Sequence, residues 1–352
     1  MSRLKRYLTA LGLLMGCLFC VALFQDWGPW KLDIGRRLTS SLYFQSHEHS
    51  KSNDSLATRN VLTENPITED DDKCPETSPH LVGPVNINLS IVWSLEDISY
   101  AYPNVQGGHF HPADCSARQR IAVIIPFRRR ETHLAIWLFY MHQFLQRQQA
   151  DYGIYVIEQH GDLQFNRAKL MNVGFAEASK DNYNCFIFSD VDIVPLDDRN
   201  YYRCSGNPRH MANALDKFNF RLLYGAHFGG VNAFSKEQFL KVNGFSNKFW
   251  GWGGEDDELY ARVIATGMKV ERPDAVIARS KMILHRRDPG NETNRKNVHL
   301  ITFAKSKMHE DGVNSCRYTV VNVTRHQLYT KISVDIGRPE DDLEKLSSIG
   351  GN

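Results

Sequence analysis

The 352-residue sequence predicts an α/β protein with a Rossmann-like half, and three observations carry that expectation. Short continuous apolar runs recur, amphipathic stretches alternate with them, and polar clusters close the runs at one end. Ile121-Ala-Val-Ile-Ile125 shows no polar alternation, as expected of a parallel strand buried on both faces. Helical spacing follows over about 133–149, then a strand over 152–157 and a helix over about 166–179. A third buried strand, 185–188, runs into Ser189-Asp190-Val191-Asp192. This alternation gives βαβ units, in which ligands bind beyond the carboxyl ends of the strands. Pro126-Phe127-Arg128-Arg129-Arg130 and Asp190-Val191-Asp192 both follow strands, so both fall at that edge. The second half is more mixed: a glycine–tryptophan run at 249–254, an acidic helix start at 255–258, a polar loop over about 286–297 and closing strands near 318–323 and 329–335. No internal repeat is visible.

Hydrophobic residues make up 42% of the chain, ample for a large core, and 42 basic against 40 acidic residues leave a formal charge of +2. Bulk electrostatics therefore give no reason to expect nucleic acid. From Tyr7 to Phe24 the chain carries no charge. As a helix this run is about 27 Å long, close to the hydrocarbon core of a thin bilayer. Arg3, Lys5 and Arg6 precede it and put the N-terminus on the cytosolic side, while Trp27 and Trp30 follow at the interface. A cleaved signal peptide is the rival reading, with only Cys20-Val21-Ala22 as a poor cleavage site. Both deliver the rest to the secretory lumen, and sequons at Asn53, Asn88, Asn291 and Asn322 agree. Cys17 and Cys20 lie in the apolar run. Cys74, Cys115, Cys185, Cys204 and Cys316 remain, most simply two disulfides and one leftover thiol. The expected segments are a tail (1–6), an anchor (7–24), a Ser-, Thr- and acid-rich stem (25–73), a catalytic domain (74–339) and a C-terminal tail (340–352).

Asp190-Val191-Asp192 is the central chemical candidate. Two carboxylates one residue apart can hold a hard divalent cation, which can neutralise a diphosphate. Most such pairs are solvated loop ends, so the position after a buried strand carries the reading. Met282 and His285 stand at i, i+3 and can approach one ion. A thioether is an odd ligand for a hard cation, however, and a core Met beside a hydrogen-bonded His explains the pair equally. Arg128 and Arg130 can fork onto phosphate oxygens, or form a basic surface turn. Phe165 and Arg167 can stack a base and hold its phosphate, or simply enter a helix. In Trp250-Gly-Trp252-Gly-Gly254 the glycines give mobility and the tryptophans a flat face for a sugar. Glu255, Asp256 and Asp257 follow, where a carboxylate can serve as general base. Helix capping explains the acids but not the glycine–tryptophan alternation.

Phe-Asn-Arg-Ala-Lys (165–169), Asp-Val-Asp (190–192), Phe-Gly-Gly-Val (228–231), Trp-Gly-Trp-Gly-Gly-Glu-Asp-Asp (250–257) and Met-x-x-His (282–285) occur in one order. Over about 74–339 the chain thereby resembles the vertebrate β-1,4-galactosyltransferases, types 1 and 2 in particular. The resemblance implies a GT-A fold with a Rossmann-like nucleotide-binding half and a mixed acceptor-binding half. It implies a type II Golgi membrane anchor, Mn²⁺ as cofactor, UDP-galactose as donor and glycans ending in N-acetylglucosamine as acceptors, with a soluble form after stem cleavage. By position, Asp192, Met282 and His285 are the implied metal ligands. Pro126, Phe127, Arg128, Arg130, Phe165 and Arg167 are the implied UDP contacts, with Asp190, Val191 and His227 completing the donor site. Trp252 is the implied mobile-loop tryptophan and Asp256 the implied base, with Glu255 and Asp257 in the sugar pocket. Tyr224, Gly254, Asn297 and Ile301 would complete the acceptor side, and the loop from about 283 to 303 would close over the donor. The implied disulfides are Cys74–Cys115 and Cys185–Cys204, leaving Cys316.

Three positions depart from that pattern. His227 stands where the family usually has Tyr beside the donor's C2 group, which makes N-acetylgalactosamine transfer an alternative. Asn297-Val298 replaces Arg-Phe in the wall of the acceptor pocket, a loss of on the order of 1–3 kcal/mol in acceptor binding. Type 1 members bind α-lactalbumin, and the altered wall speaks against that partner. Glu258 replaces Asp with little expected effect. A non-catalytic lectin for N-acetylglucosamine is the alternative from another class, and it would not need a complete metal site.

Overall fold

A computed structural model describes residues 72–343 apart from Arg287. The expected anchor at 7–24 and nearly all of the stem lie outside the described residues, and so does Asn53. No helix among the described residues is long and apolar enough to cross a membrane.

The strands are β1 (His109–Phe110), β2 (Arg120–Phe127), β3 (Asp151–Gln159), β4 (Cys185–Ser189), β5 (Ile193–Pro195), β6 (Arg209–His210), β7 (Ala214–Leu215), β8 (Val231–Ser235), β9 (Arg279–Met282), β10 (Thr319–Arg325) and β11 (Thr330–Asp335). The main sheet runs β10-β11-β3-β2-β4-β8-β6, with β1 added beside β3. β2 pairs in parallel with β3 and β4, as the βαβ reading requires. β5, β9 and β7 form a second, small sheet.

Continuous apolar runs make sense once both faces of the main sheet are covered. Ile121, Val123, Ile125 and Phe127 of β2 point into one core with Trp137, Met141 and Phe144 of helix Glu131–Arg147. Ala122 and Ile124 point the other way, towards Leu170, Met171 and Phe175 of helix Arg167–Ala178. β3 and β4 alternate in the same manner, so neither face of any central strand is left for polar side chains. Polar residues at the strand ends are thus pushed to the sheet's carboxyl edge.

Both implied disulfides are present, Cys74–Cys115 and Cys185–Cys204. Cys316 is left free, and burial pushes its thiol up to about 12, far from reactive.

Candidate active site

Beyond β4 the chain turns sharply, and the Asp190 amide donates to the Gly230 carbonyl at 2.9 Å. Asp190 Oδ1 accepts from Arg167 Nε at 2.6 Å, and Arg167 Nη1 reaches Glu255 Oε1 at 3.4 Å. Arg167 begins its helix, where the Asn166 side chain caps by accepting from the Lys169 amide at 2.8 Å. Asn166 is itself held, donating from Nδ2 to the Asn247 carbonyl at 2.7 Å. Burial pushes Asp190 up to about 6 against the pull of Arg167. Burial, and then the neighbouring Asp256, push Glu255 up to about 7. Arg167 therefore ties the strand end of one half to the acidic helix of the other.

Asp192 is buried, and its Oδ2 accepts from His285 Nε2 at 2.9 Å. The small sheet makes that meeting possible across 93 residues: Met282 pairs with Ile193, and the Ile283 amide donates to the Asp192 carbonyl at 2.8 Å. Hydrogen bonding to Asp192 raises the His285 pKa. That 2.9 Å separation equals the one between neighbouring vertices of an octahedron with bonds of about 2.1 Å. Among the described residues no cluster of three or more His, Cys, Asp or Glu forms a cation cage. A cation here would rest on Asp192, His285 and the Met282 thioether, with oxygens supplied by a bound ligand. Buried polar atoms left without a hydrogen-bond partner, His133 Nε2, Arg167 Nη2 and Glu255 Oε2, agree with a site that a ligand completes.

Opposite lies the start of helix Glu255–Ala265, entered through Gly254 at φ +92°, which L side chains rarely adopt. A Cβ added to Gly229 would sit 2.5 Å from Asp256 Oδ2 and 3.3 Å from His227 Nε2, so this turn must be glycine for the carboxylate to reach it. The His227 ring packs near Tyr224 (5.3 Å), His210 (5.3 Å) and Phe218 (6.1 Å). Burial lowers its pKa and favours the neutral ring. Tyr224 donates to Asp257 Oδ1 at 2.7 Å. Glu258 turns away from the site: it is buried and accepts from Arg262 Nε through both oxygens, at 2.7 and 2.9 Å.

The glycine–tryptophan run and the loop after His285 are laced together. The Trp252 amide donates to the Glu292 carbonyl at 2.9 Å, and the Asn294 amide to the Trp252 carbonyl at 3.1 Å. Trp252 is half exposed, whereas Trp250 is buried, with Nε1 donating to Asp342 Oδ2 at 3.0 Å. Trp252 is thus the more open of the two tryptophans. Arg128 lies over Phe165 at 4.9 Å and donates to the Leu163 and Pro289 carbonyls at 2.6 and 3.1 Å. Arg130 grips Asp288 Oδ2 from Nε and Nη2, at 3.0 and 2.7 Å.

The structure thus brings together Asp190, Asp192, Arg167, His285, Glu255, Asp256 and His227. Phe127 and Val191 sit in the core with their side chains, and Pro126 is buried in β2. Asn297 lies behind the glycine run. It is 2% exposed, and its Nδ2 donates to the Gly253 carbonyl at 2.9 Å, so it braces the glycine run from behind. Ile301 lies over Gly254, its Cδ1 3.5 Å from where a Cβ there would stand. A cavity of about 400 Å³ lined by Gln164, Lys248, Trp250, Asn294, Asn297 and Leu300 adjoins this brace, away from Asp192 and Asp256. Sequence reasoning missed His133 and Asp288. The His133 ring stands edge-on to His285 with centroids 5.5 Å apart. Its place three residues after Arg130, at the start of a helix facing the sheet's carboxyl edge, was the available signal.

Residues 74–205 match the profile described as the N-terminal region of glycosyl transferase group 7, and 209–286 match that described as the N-terminal domain of galactosyltransferase. The chain is 54% identical over 268 residues to mouse (Mus musculus) β-1,4-galactosyltransferase 1, covering 76% of this chain and 67% of that one. It is 55% identical over 269 residues to β-1,4-galactosyltransferase 2 of Cricetulus griseus, covering 76% of this chain and 73% of that one. Among solved structures, a Drosophila β-1,4-galactosyltransferase 7 mutant in complex with manganese, UDP-Gal and xylobiose superposes with a TM-score of 0.57 at 28% identity. That match covers 64% of this chain and 98% of the other. The fold is thus GT-A-like, and the chain belongs to the β-1,4-galactosyltransferase family.

Proposed function

We propose that this chain is a manganese-dependent, inverting galactosyltransferase that moves galactose from UDP-galactose to the 4-hydroxyl of a terminal β-N-acetylglucosamine. One observation carries the reading. Asp192 and His285 meet at 2.9 Å two residues from Asp190, whose partner Arg167 also reaches Glu255 at the start of the helix that Asp256 continues. A site that recognised only a sugar would not need both halves. The 54% identity to β-1,4-galactosyltransferase 1 supports the same reaction.

In this reading Asp192, Met282 and His285 hold the metal. When bound, Mn²⁺ would offset the negative charge that grows on the departing diphosphate. Phe165, backed by Arg128, offers the flat surface for the uracil. Arg167 and Arg130 supply positive charge beside the diphosphate, Arg130 by exchanging its Asp288 contact. Trp252 lies over the donor sugar, with Tyr224, Asp257, Gly254 and Ile301 on the acceptor side. Asp256 takes the proton of the acceptor 4-hydroxyl as that oxygen attacks the anomeric carbon, the bond to phosphate breaks and UDP leaves from the opposite face. Burial, and then the Asp256 carboxylate beside it, push Glu255 towards neutrality.

The apolar run at 7–24 and the basic residues before it support a single-pass type II protein of the Golgi membrane with its catalytic domain, 74–339, in the lumen. A second reading, N-acetylgalactosamine transfer, is favoured by the neutral His227 ring beside Gly229 and Asp256. The full chain, purified in mild detergent, should be given a terminal β-N-acetylglucosamine acceptor and both UDP-sugars in competition, with Mn²⁺ and then with chelator. Chelator-sensitive galactose transfer is the expected result. Preference for N-acetylgalactosamine would replace the donor but keep the mechanism. Acceptor binding with no turnover from either donor would overturn the enzyme reading in favour of a lectin.

A further inference from the structure

β10 closes one end of the main sheet, and no described strand pairs with its outer edge. Its sequence, Thr-Val-Val-Asn-Val-Thr-Arg, is strongly β-forming, lacks proline and carries a charge only at Arg325. Val320, Val321 and Val323 are 38%, 49% and 42% exposed, and all but one residue of the strand is open to solvent. An edge of this kind, unpaired among the described residues and charged only at its end, is a template for another chain's strand. Folded proteins guard such edges with charge, proline, bulges or a cover. Here a bulge is present, since the register against β11 slips between Val320 and Asn322. Beside that bulge, in mid-strand, stands the sequon Asn322-Val-Thr324.

Asn322 is exposed, and its Nδ2 donates to Thr324 Oγ1 at 3.0 Å, so the amide stands beside the hydroxyl of its own sequon. The other described sequons sit differently. Asn88 folds into a local turn, where its Oδ1 accepts from the Ser90 amide at 3.0 Å, and touches no sheet edge. Asn291 is half-buried in the loop held by Arg128 and Arg130.

We propose that Asn322 carries an N-linked glycan, and that this glycan covers the free edge of the main sheet against pairing with a second chain. In forming it, Nδ2 loses one proton and bonds to the anomeric carbon of a lipid-diphosphate-linked oligosaccharide. The bond from that carbon to phosphate breaks, and the lipid diphosphate leaves. One N–H remains on Nδ2, so the contact to Thr324 survives. A hydrated, bulky sugar at mid-strand blocks in-register approach along the whole seven-residue edge, which one terminal arginine does not. The inference needs the chain to pass through the secretory lumen, but it does not depend on which sugar the enzyme transfers.

The full chain should be expressed in secretory cells, treated with an amidase that releases N-glycans in heavy-oxygen water, and the peptide containing 319–325 analysed by mass spectrometry. Labelled conversion of Asn322 to aspartate is expected. Modification at Asn88 with Asn322 unmodified would overturn the proposal while leaving the luminal reading intact; no modification at any sequon would overturn both. Sedimentation in mild detergent then tests the role. Asn322→Gln should shift from the parent's species to larger, concentration-dependent ones. Thr324→Ser, which keeps the sequon, should not shift, and Asn322→Lys, which guards the edge with charge, should sediment as the parent does. Unchanged sedimentation of Asn322→Gln would defeat the shielding role, as would association of Asn322→Lys. Transfer activity of each soluble fraction separates edge pairing from misfolding, because Asn322 has no part in the active site.

Discussion

Single side chains in this site are set by burial more than by sequence neighbours. Asp190 and Asp192 look equivalent on paper, yet one pairs with Arg167 and the other with His285. Glu255 to Glu258 look like one acidic run, yet Glu255 faces Arg167, Asp256 the Gly229 turn, Asp257 Tyr224 and Glu258 Arg262. If Asp256 is the base, Asp256→Asn should lower kcat by about 10²- to 10⁴-fold with little change in donor KM, which steady-state kinetics can read. Glu255 gives a separable effect. Its folded pKa is raised to about 7, so the folded chain holds this proton more tightly than the unfolded chain does. Its ionisation therefore weakens the fold as pH rises from about 4.5 through 7. Glu255→Gln should raise stability by up to ~3 kcal/mol at pH 8 and have almost no effect at pH 4, measured by denaturant titration at both values.

Elements are legible where one period runs unbroken, and obscure where contacts replace periodicity. The helix expected over 133–149 lies within two residues of its observed ends, Glu131–Arg147. Strand β8 escapes the pattern because Val231–Ser235 lies against β4 in antiparallel pairing, a partnership with a distant segment that leaves no mark in the spacing. The loop after His285 reads as polar in the sequence, but its carbonyls at Pro289 and Glu292 serve as acceptors for Arg128 and Trp252, which no pattern of residue types encodes. Helix Glu255–Ala265 shows how an element is anchored. Glu258 and Arg262 form a buried i,i+4 pair, and Arg262 Nη1 also donates to the Val242 and Gly244 carbonyls at 3.3 and 3.2 Å. The substitution of Asp by Glu at 258 is accordingly a change in the reach of an internal brace. Glu258→Ala would leave the buried guanidinium without its bidentate carboxylate and should cost ~3–5 kcal/mol, a fall in thermal midpoint visible by calorimetry.

Across the whole molecule, the Rossmann-like half is legible because its strands are buried on both faces. The two closing strands are legible as strands, but their place in the sheet is not. β11 returns to lie parallel with β3, and Lys169 bonds Asp342 at 2.9 Å from 173 residues away. Such long-range closure also buries groups whose protonation differs between the folded and unfolded chains. His142 accepts from the Tyr152 hydroxyl at 2.7 Å and donates to the Leu328 carbonyl at 3.1 Å, and burial lowers it to about 3. His210 donates to the Gly229 carbonyl at 2.9 Å and is likewise lowered by burial to about 3. Unfolded, both bind a proton near 6.5, so each destabilises the fold as pH drops from about 6.5 towards 3, by up to ~1.4 kcal/mol per pH unit. Asp190 and Glu255 act in the opposite sense, because their raised values relieve the fold of two buried charges as pH drops through 7 and 6. Between pH 7 and 5 the two pairs nearly cancel. Below about 5 the carboxylates' contribution fades as they protonate in the unfolded chain as well, while the histidines' continues. Denaturant titrations in chelator should therefore give a plateau from pH 7 to 5 and a steep fall beneath it. Glu255→Gln should tilt the plateau, and His142→Gln should flatten the fall by up to one proton; a wild-type curve that declined evenly from pH 7 would mean that these four buried groups do not govern it.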